Sequence, residues 1–160
     1  MKNCGDATRC FSCASSLRYR PNMEPGGSAT DQMFLNLEHF RKVWPKQGWS
    51  WDYRFSTIAS SFHADQTSEA EQALAVAFTD FYDHRTLGNA PEHIQEVAEA
   101  VGGVRSDQRV YIMKTSGRLA PYALWWPWGD EITVSLRVGL AGYVSDQDLQ
   151  RLQTQFAAIG

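Results

Sequence analysis

The side chains of this chain that could do chemistry gather around one turn. Trp125, Trp126 and Trp128 lead into a segment that ends in Asp130 and Glu131. Indole rings provide a large contact area at low entropy cost and carry an N–H donor, so they are typical of protein interfaces and of ligand pockets. A carboxylate that lies against an indole can also have the raised pKa that a proton donor needs. This turn is therefore the candidate functional site.

A second aromatic segment precedes this turn in the chain. Trp49 and Trp51 alternate with polar residues, as in a strand, and Asp52 follows them. If that strand joins the sheet, its indoles gather with the others, either as a binding surface or as part of a large core. Arg137 belongs to the polar side of the last strand. The predicted partner- or ligand-binding residues are Trp49, Trp51, Trp125, Trp126, Trp128, Asp130, Glu131 and Arg137.

Motifs that would identify a reaction are missing from the sequence. Gly102 and Gly103 follow a predicted helix, whereas a dinucleotide-binding loop follows a strand. The sequence contains no nucleophile elbow around a serine or cysteine. We therefore assign no catalytic residue and expect no cofactor.

Two helical pairs of side chains offer a weak metal-binding alternative. Asp80 and His84 are spaced to meet on one face of a predicted helix, and His93 and Glu96 on the next. Such pairs are common on solvated helix surfaces and contribute little there.

The cysteines form an incomplete metal-ligand set. Cys4, Cys10 and Cys13 are the three cysteines of the chain and all lie near its start. A structural zinc site needs four ligands, usually from two such pairs. An odd number of cysteines at one end is also a poor disulfide framework. We predict reduced thiols in a leader, and no metal.

The elements that must position the candidate site begin with three strands. Strands are predicted over residues 110–113, 122–126 and 132–140, with turns at Ser116-Gly117 and at residues 127–130. In the third strand, apolar and polar residues alternate, which sends them to opposite faces of a sheet. The apolar set is Ile132, Val134, Leu136, Val138 and Leu140. That face must be covered, while the face with Thr133, Ser135 and Arg137 can meet water or a partner.

Four amphipathic helices are predicted from apolar residues at helical spacing. Their expected limits are 28–44, 68–85, 91–101 and 145–159. Ser28 is expected to cap the first helix, and Ser68 with Glu71 and Ser145 with Asp148 match the capping-box pattern. A strand or a hairpin is predicted within 49–62. The fold class is therefore α+β: an antiparallel sheet, built from the C-terminal three-strand meander and this strand or hairpin, with helices packed mainly on one face.

Composition limits the class of protein further. The chain has 160 residues and a net charge of −3, which is typical of one domain and lacks the basic character of most nucleic-acid binders. No apolar run reaches the length of a membrane helix, and no secretory signal is visible, so we expect no membrane partner and a cytoplasmic location. Residues 1–27 resemble a flexible leader, and 28–160 form the domain.

These observations favour a non-catalytic protein-interaction module that binds a protein partner through its tryptophan-rich sheet edge. Toxin-neutralising immunity proteins, adaptors and small chaperones are examples of this class. The alternative is a small-ligand-binding protein or hydrolase that uses a tryptophan-lined pocket with Asp130 and Glu131.

Overall fold

A computed structural model describes residues 24–46 and 48–157, with side chains from Ala29 onward. Most of the predicted leader, including its three cysteines, lies outside these residues, and so does the predicted end of the last helix at residue 159. The described part contains one six-stranded antiparallel sheet with the order β1-β2-β6-β5-β4-β3. Its strands are β1 Ser50–Asp52, β2 Thr57–His63, β3 Asp80–Tyr82, β4 Arg109–Ile112, β5 Leu119–Pro127 and β6 Thr133–Gly142. The helices in this part are α1 Glu24–Val43, α2 Thr67–Ala75, α3 Glu92–Ala100 and α4 Asp146–Ala157.

The C-terminal meander is confirmed and forms the centre of the sheet. β5 pairs with β6 from Leu119↔Gly142 to Pro127↔Val134, and β4 pairs with the middle of β5. Alternation along β6 places Val134 and Leu136 in the main core, as the period of two predicts.

The aromatic segment near residue 50 forms a hairpin rather than one bent strand. β1 pairs with β2 from Ser50↔Ala59 to Asp52↔Thr57. Tyr53 lies in the connecting turn and is 82% exposed, so the aromatic side of this strand ends at Trp51. In the same turn Ser56 has a φ of 53°, a left-handed conformation that is uncommon outside glycine.

Helices α1, α2 and α4 cover one face of the sheet. Their buried residues, including Phe40, Leu74 and Phe156, join the main core with the apolar side of β6. α1 begins at Glu24, so Ser28 lies within the helix instead of capping it. The capping box of α4 is confirmed, because Ser145 Oγ accepts from the Asp148 amide at 3.2 Å and Asp148 Oδ2 accepts from the Ser145 amide at 2.8 Å.

Helix α3 packs on the opposite face. Ile94 and Ala98 form a second core cluster with Val110, Tyr122 and Leu124. Because α3 is short, it covers only part of this face. The predominantly one-sided arrangement of the helices is thus confirmed. No helix of the described residues has the length and apolar character of a membrane span.

The second predicted helix begins within one residue of its expected start, but its cap differs and it ends well before residue 85. α2 begins at Thr67 without a side-chain cap, and the carboxylate of Glu71, expected in a capping box, instead accepts a hydrogen bond from Arg109 Nη1 at 2.9 Å. The helix ends at Ala75, and Phe78 is buried in the turn that follows it. Phe81, predicted on the helix, lies in β3, where aromatic residues suit a pleated surface.

The metal-binding alternative for Asp80 and His84 is also wrong, because these residues do not share a helix. Asp80 belongs to β3 and pairs with Lys114 at 3.2 Å. Within the described residues, no three His, Cys, Asp or Glu side chains are placed to hold a metal ion.

Candidate functional site

The predicted binding residues do not form one surface, because the sheet separates them. Trp125 and Trp126 are neighbours on β5 and point to opposite faces, as expected from the pleat. Trp125 belongs to the helix-covered core, whereas Trp126 packs at the margin of the cluster beneath α3.

Three of the predicted indoles lie on the helix-covered face. Trp125 is 4% exposed and its ring is 5.3 Å from that of Phe62. Trp49 packs edge-on against Phe156 with 4.8 Å between ring centroids, and Trp51 lies half-buried against the same core. The gathering of aromatics is therefore part of the main core in this region of the molecule.

The tip of the β5–β6 hairpin, residues 128–132, presents the exposed aromatic group. Trp128 is 53% exposed and Ile132 is 51% exposed. The loop is closed by a hydrogen bond from the Trp128 amide to the Thr133 carbonyl at 2.8 Å. Ile132 was predicted on the buried side of the last strand. β6 begins only at Thr133, after Glu131 adopts a φ of 63°, so Ile132 leaves the pleat and faces solvent.

Asp130 organises this tip. Its Oδ1 accepts from the amides of Ile132 and Thr133 at 3.0 and 2.9 Å, and its Oδ2 accepts from Thr133 Oγ1 at 2.7 Å. The hydrogen bonds from the Ile132 amide and from Thr133 lower the pKa of Asp130 below its usual value. The raised pKa that acid catalysis would need is therefore not found at this carboxylate.

Carboxylates occur on the same loop as the two exposed apolar side chains and on the turn that is hydrogen-bonded to it. The Ala64 amide donates to the Ile132 carbonyl at 2.7 Å, which holds the 3₁₀ turn Ala64–Gln66 beside the tip. The carboxylate of Asp65 in that turn is 77% exposed and contacts His63 Nδ1 at 2.7 Å. With Asp130 and Glu131, it makes the rim of the tip acidic.

An open strip of sheet continues from the tip, on the face that α3 covers only in part. Cross-strand pairs place Ser61 opposite Ser135 and His63 opposite Thr133, with Trp126 opposite Ser135 on the other side. Ser61 and His63 are exposed, and Thr133 is half-buried. Ser135, between Ser61 and the half-buried Trp126, is only 6% exposed, so the accessible part of the strip is its β2 side with Thr133.

Arg137 lies at the end of this strip and contacts residues at the β1–β2 turn. Its Nε donates to Asp52 Oδ2 at 3.1 Å, its Nη1 donates to Ser135 Oγ at 3.4 Å, and its guanidinium lies 5.8 Å from the Phe55 ring. Burial alone would raise the pKa of Asp52, but the hydrogen bonds from Arg137 and the Arg54 amide outweigh it, and the pKa is lowered. Arg137 therefore positions the turn, and Asp52 is unsuited to donate a proton.

Four surface clefts of the described residues are lined by other side chains than the indoles. Their volumes are about 330, 430, 500 and 580 Å³. The predicted tryptophan-lined pocket with Asp130 and Glu131 is not among them.

Two contributors to the site were missed by the sequence analysis. Ile132 was grouped with the buried face because it continues the alternation of the strand by one position. Asp65 was missed because the turn that carries it is linked to the tip by a long-range contact, the Ala64–Ile132 hydrogen bond. The turn residues Gly129 and Asp130 could have indicated that Ile132 lies outside the strand, since turn residues interrupt a pleat.

Comparisons with known proteins identify no relative. No protein-family model matches the chain, and no curated protein or solved structure is significantly similar to it. The fold and the site geometry are therefore the basis for a functional proposal.

Proposed function

We propose that this chain is a non-catalytic protein-binding module that contacts its partner with the hairpin tip and the adjoining open strip of sheet. The observation that carries the proposal is the half-exposure of Trp128 and Ile132 on one tightly bonded loop. Large aromatic and aliphatic side chains that stay exposed together are typical of interface hot spots. Toxin-neutralising, adaptor and chaperone-type proteins all work in this way.

The rigidity of the tip supports this use. Asp130 accepts three hydrogen bonds within the loop, and the Trp128–Thr133 hydrogen bond closes it. A loop that is already ordered loses little conformational entropy on binding. The indole is thus presented as a preformed anchor.

The charges around the tip indicate the chemistry of the partner. Asp130 and Glu131 share the loop with the apolar pair and Asp65 lies on the turn bonded to it, so a matching surface has an apolar pocket with Lys or Arg at its rim. Rim charges of this kind mainly accelerate association and make it sensitive to salt, while the buried indole slows dissociation.

A hydrolytic role for Asp130 and Glu131 has less support. The pKa of Asp130 is lowered by its turn hydrogen bonds, and the four clefts described above are lined by other residues. A protein partner requires neither a proton donor nor a cleft.

The proposal is tested by quantitative capture with the full chain as bait. The Trp128→Ala/Ile132→Ala double variant is compared with Tyr143→Ala, which removes an aromatic side chain that is 82% exposed and lies just beyond the opposite end of β6. We expect a basic protein that is retained by the wild type and by Tyr143→Ala and lost with the double variant. Its purified complex should weaken about 30-fold or more on Trp128→Ala, as for a hot-spot residue. Retention of every captured protein by the double variant would refute the tip as the contact surface.

A further inference from the structure

A cleft of about 430 Å³ lies between the β1–β2 turn and the C-terminal half of α3. Turn residues 54–56 form one side, Val97, Ala100 and Val101 form the other, and Tyr122 of β5 contributes from the sheet. β2 begins beside this cleft and ends beside the hairpin tip, so the two sites lie toward opposite ends of that strand. The volume is in the range of small-molecule sites.

The phenol of Tyr122 is a polar group without a partner in this setting. The residue is 6% exposed and lines the cleft, yet its hydroxyl forms no hydrogen bond within the part of the chain that is described. Among the described residues this oxygen is not one of the fully enclosed side-chain polar atoms that lack a partner, so it remains accessible to a small molecule. Burial raises the pKa of Tyr122 to about 12, so the hydroxyl is a neutral donor at physiological pH.

The other residues that line the cleft determine which kind of ligand could bind beside this hydroxyl. Phe55, Val97 and Val101 are partly buried apolar side chains. The guanidinium of Arg54 is stacked 4.8 Å from the Phe55 ring and pairs with no carboxylate of the described residues. The nearby charge of Asp52 is already paired with Arg137. The cleft thus combines apolar walls, a lining tyrosine whose hydroxyl is unpaired in the described part of the chain, and one cation at its rim.

We propose that this cleft binds a small monocarboxylate with an apolar body, whose carboxylate accepts a hydrogen bond from Tyr122 and faces Arg54. The apolar body lies between the Phe55 ring and the valines of α3. A cation would be repelled by Arg54, and a neutral molecule would leave that charge unused.

The probe for this site is 4-fluorobenzoate, and its binding to the full chain is followed by ¹⁹F line broadening and by backbone amide shifts. We expect saturable binding with a dissociation constant of about 1 mM or below, with amide shifts concentrated at residues 54–56 and 97–101. Tyr122→Phe removes only the hydroxyl and should weaken binding about fivefold or more. Arg54→Gln should weaken it similarly, whereas Tyr143→Phe should leave it unchanged.

Three results would overturn the proposal. They are the absence of saturable binding at about tenfold the expected dissociation constant, equal affinity of the wild type and Tyr122→Phe, and equal affinity for the uncharged analogue 4-fluorobenzamide. Val101→Trp gives an independent check, because it fills the cleft and leaves Tyr122 in place. Its thermal unfolding confirms the fold, and a folded variant that still binds the probe would equally refute the site.

Discussion

The phenol of Tyr122 lies across the backbone of Gly139. A β-carbon built at residue 139 would come within 2.4 Å of the Tyr122 hydroxyl oxygen, 2.5 Å of its Cζ and 2.9 Å of Thr57 Cγ2. The two residues are cross-strand partners in the β5–β6 ladder. Only glycine at residue 139 leaves room for this close approach, and the tyrosine ring can therefore lie on the sheet beneath α3.

Replacement of this glycine should destabilise the protein. Gly139→Ala places a methyl group against the buried Tyr122 ring and against Thr57, which is fully buried, and overpacking of this kind costs about 1–3 kcal/mol. Urea unfolding would measure the loss. In a Tyr122→Ala background the same substitution should cost much less, because the colliding ring is gone.

Gly88→Ala is the matched control for this substitution. A β-carbon at residue 88 meets no heavy atom within 4 Å, so its effect should stay within about 0.5 kcal/mol. Equal losses at residues 88 and 139, or an undiminished loss in the Tyr122→Ala background, would contradict the close-approach explanation.

Trp125 and Trp128 should differ sharply in their contribution to stability. Trp125 is 4% exposed and packs against Phe62, so Trp125→Ala should lower the free energy of unfolding by about 3–5 kcal/mol. Trp128 is 53% exposed on the hairpin tip, and Trp128→Ala should change the free energy of unfolding by about 0.5 kcal/mol or less. Chemical unfolding of both variants tests this. A large loss on Trp128→Ala would place that indole in a structural role and weaken its proposed role in binding.

The meander and the last helix were predictable because their signals are local. The alternation of β6 and the Ser145–Asp148 capping box need only a few neighbouring residues, and both appear as expected. The antiparallel α+β class followed from these elements.

The end of α2 was not predictable in the same way. The apolar residues from Ala70 to Phe81 fit a helix, but Phe81 joins β3 because it finds a place beside Tyr111 of β4. That partner is distant in sequence, and tertiary contacts override local preference. For the same reason the sequence suggested one tryptophan cluster, whereas strand parity and helix packing divide the indoles between a core and an exposed tip.

The pairing of Asp148 with Arg118 should make stability fall in acid. The hydrogen bond from Arg118 outweighs burial, and with those from Ser145 it lowers the pKa of Asp148 from 3.8 to about 2. Since the folded-state pKa lies below the unfolded value, this stabilisation is complete above about pH 4 and is lost as the pH falls toward about 2. Asp148→Asn should therefore cost about 1–3 kcal/mol near neutral pH and progressively less through that window.

Urea unfolding of the wild type and Asp148→Asn across this pH range provides the measurement, since their difference isolates one carboxylate. Asp146→Asn is the control, because Asp146 is exposed in the first turn of the same helix. A difference between wild type and Asp148→Asn that stays constant down to about pH 2 would contradict the linkage.

Replacement of Glu131 by glycine should stabilise the protein, although the same substitution inside a helix is destabilising. Its φ of 63° lies in the left-handed region, which costs a residue with a β-carbon about 1 kcal/mol and costs glycine almost nothing. Glu131→Gly should therefore raise the free energy of unfolding by up to about 1 kcal/mol, less the entropy that glycine adds to the unfolded chain. The identical change at Glu96, inside α3, should lower it by about 1 kcal/mol. Both variants remove the same type of side chain, so opposite signs in urea unfolding would support the backbone explanation, and equal losses would show that the conformation at the tip carries no strain.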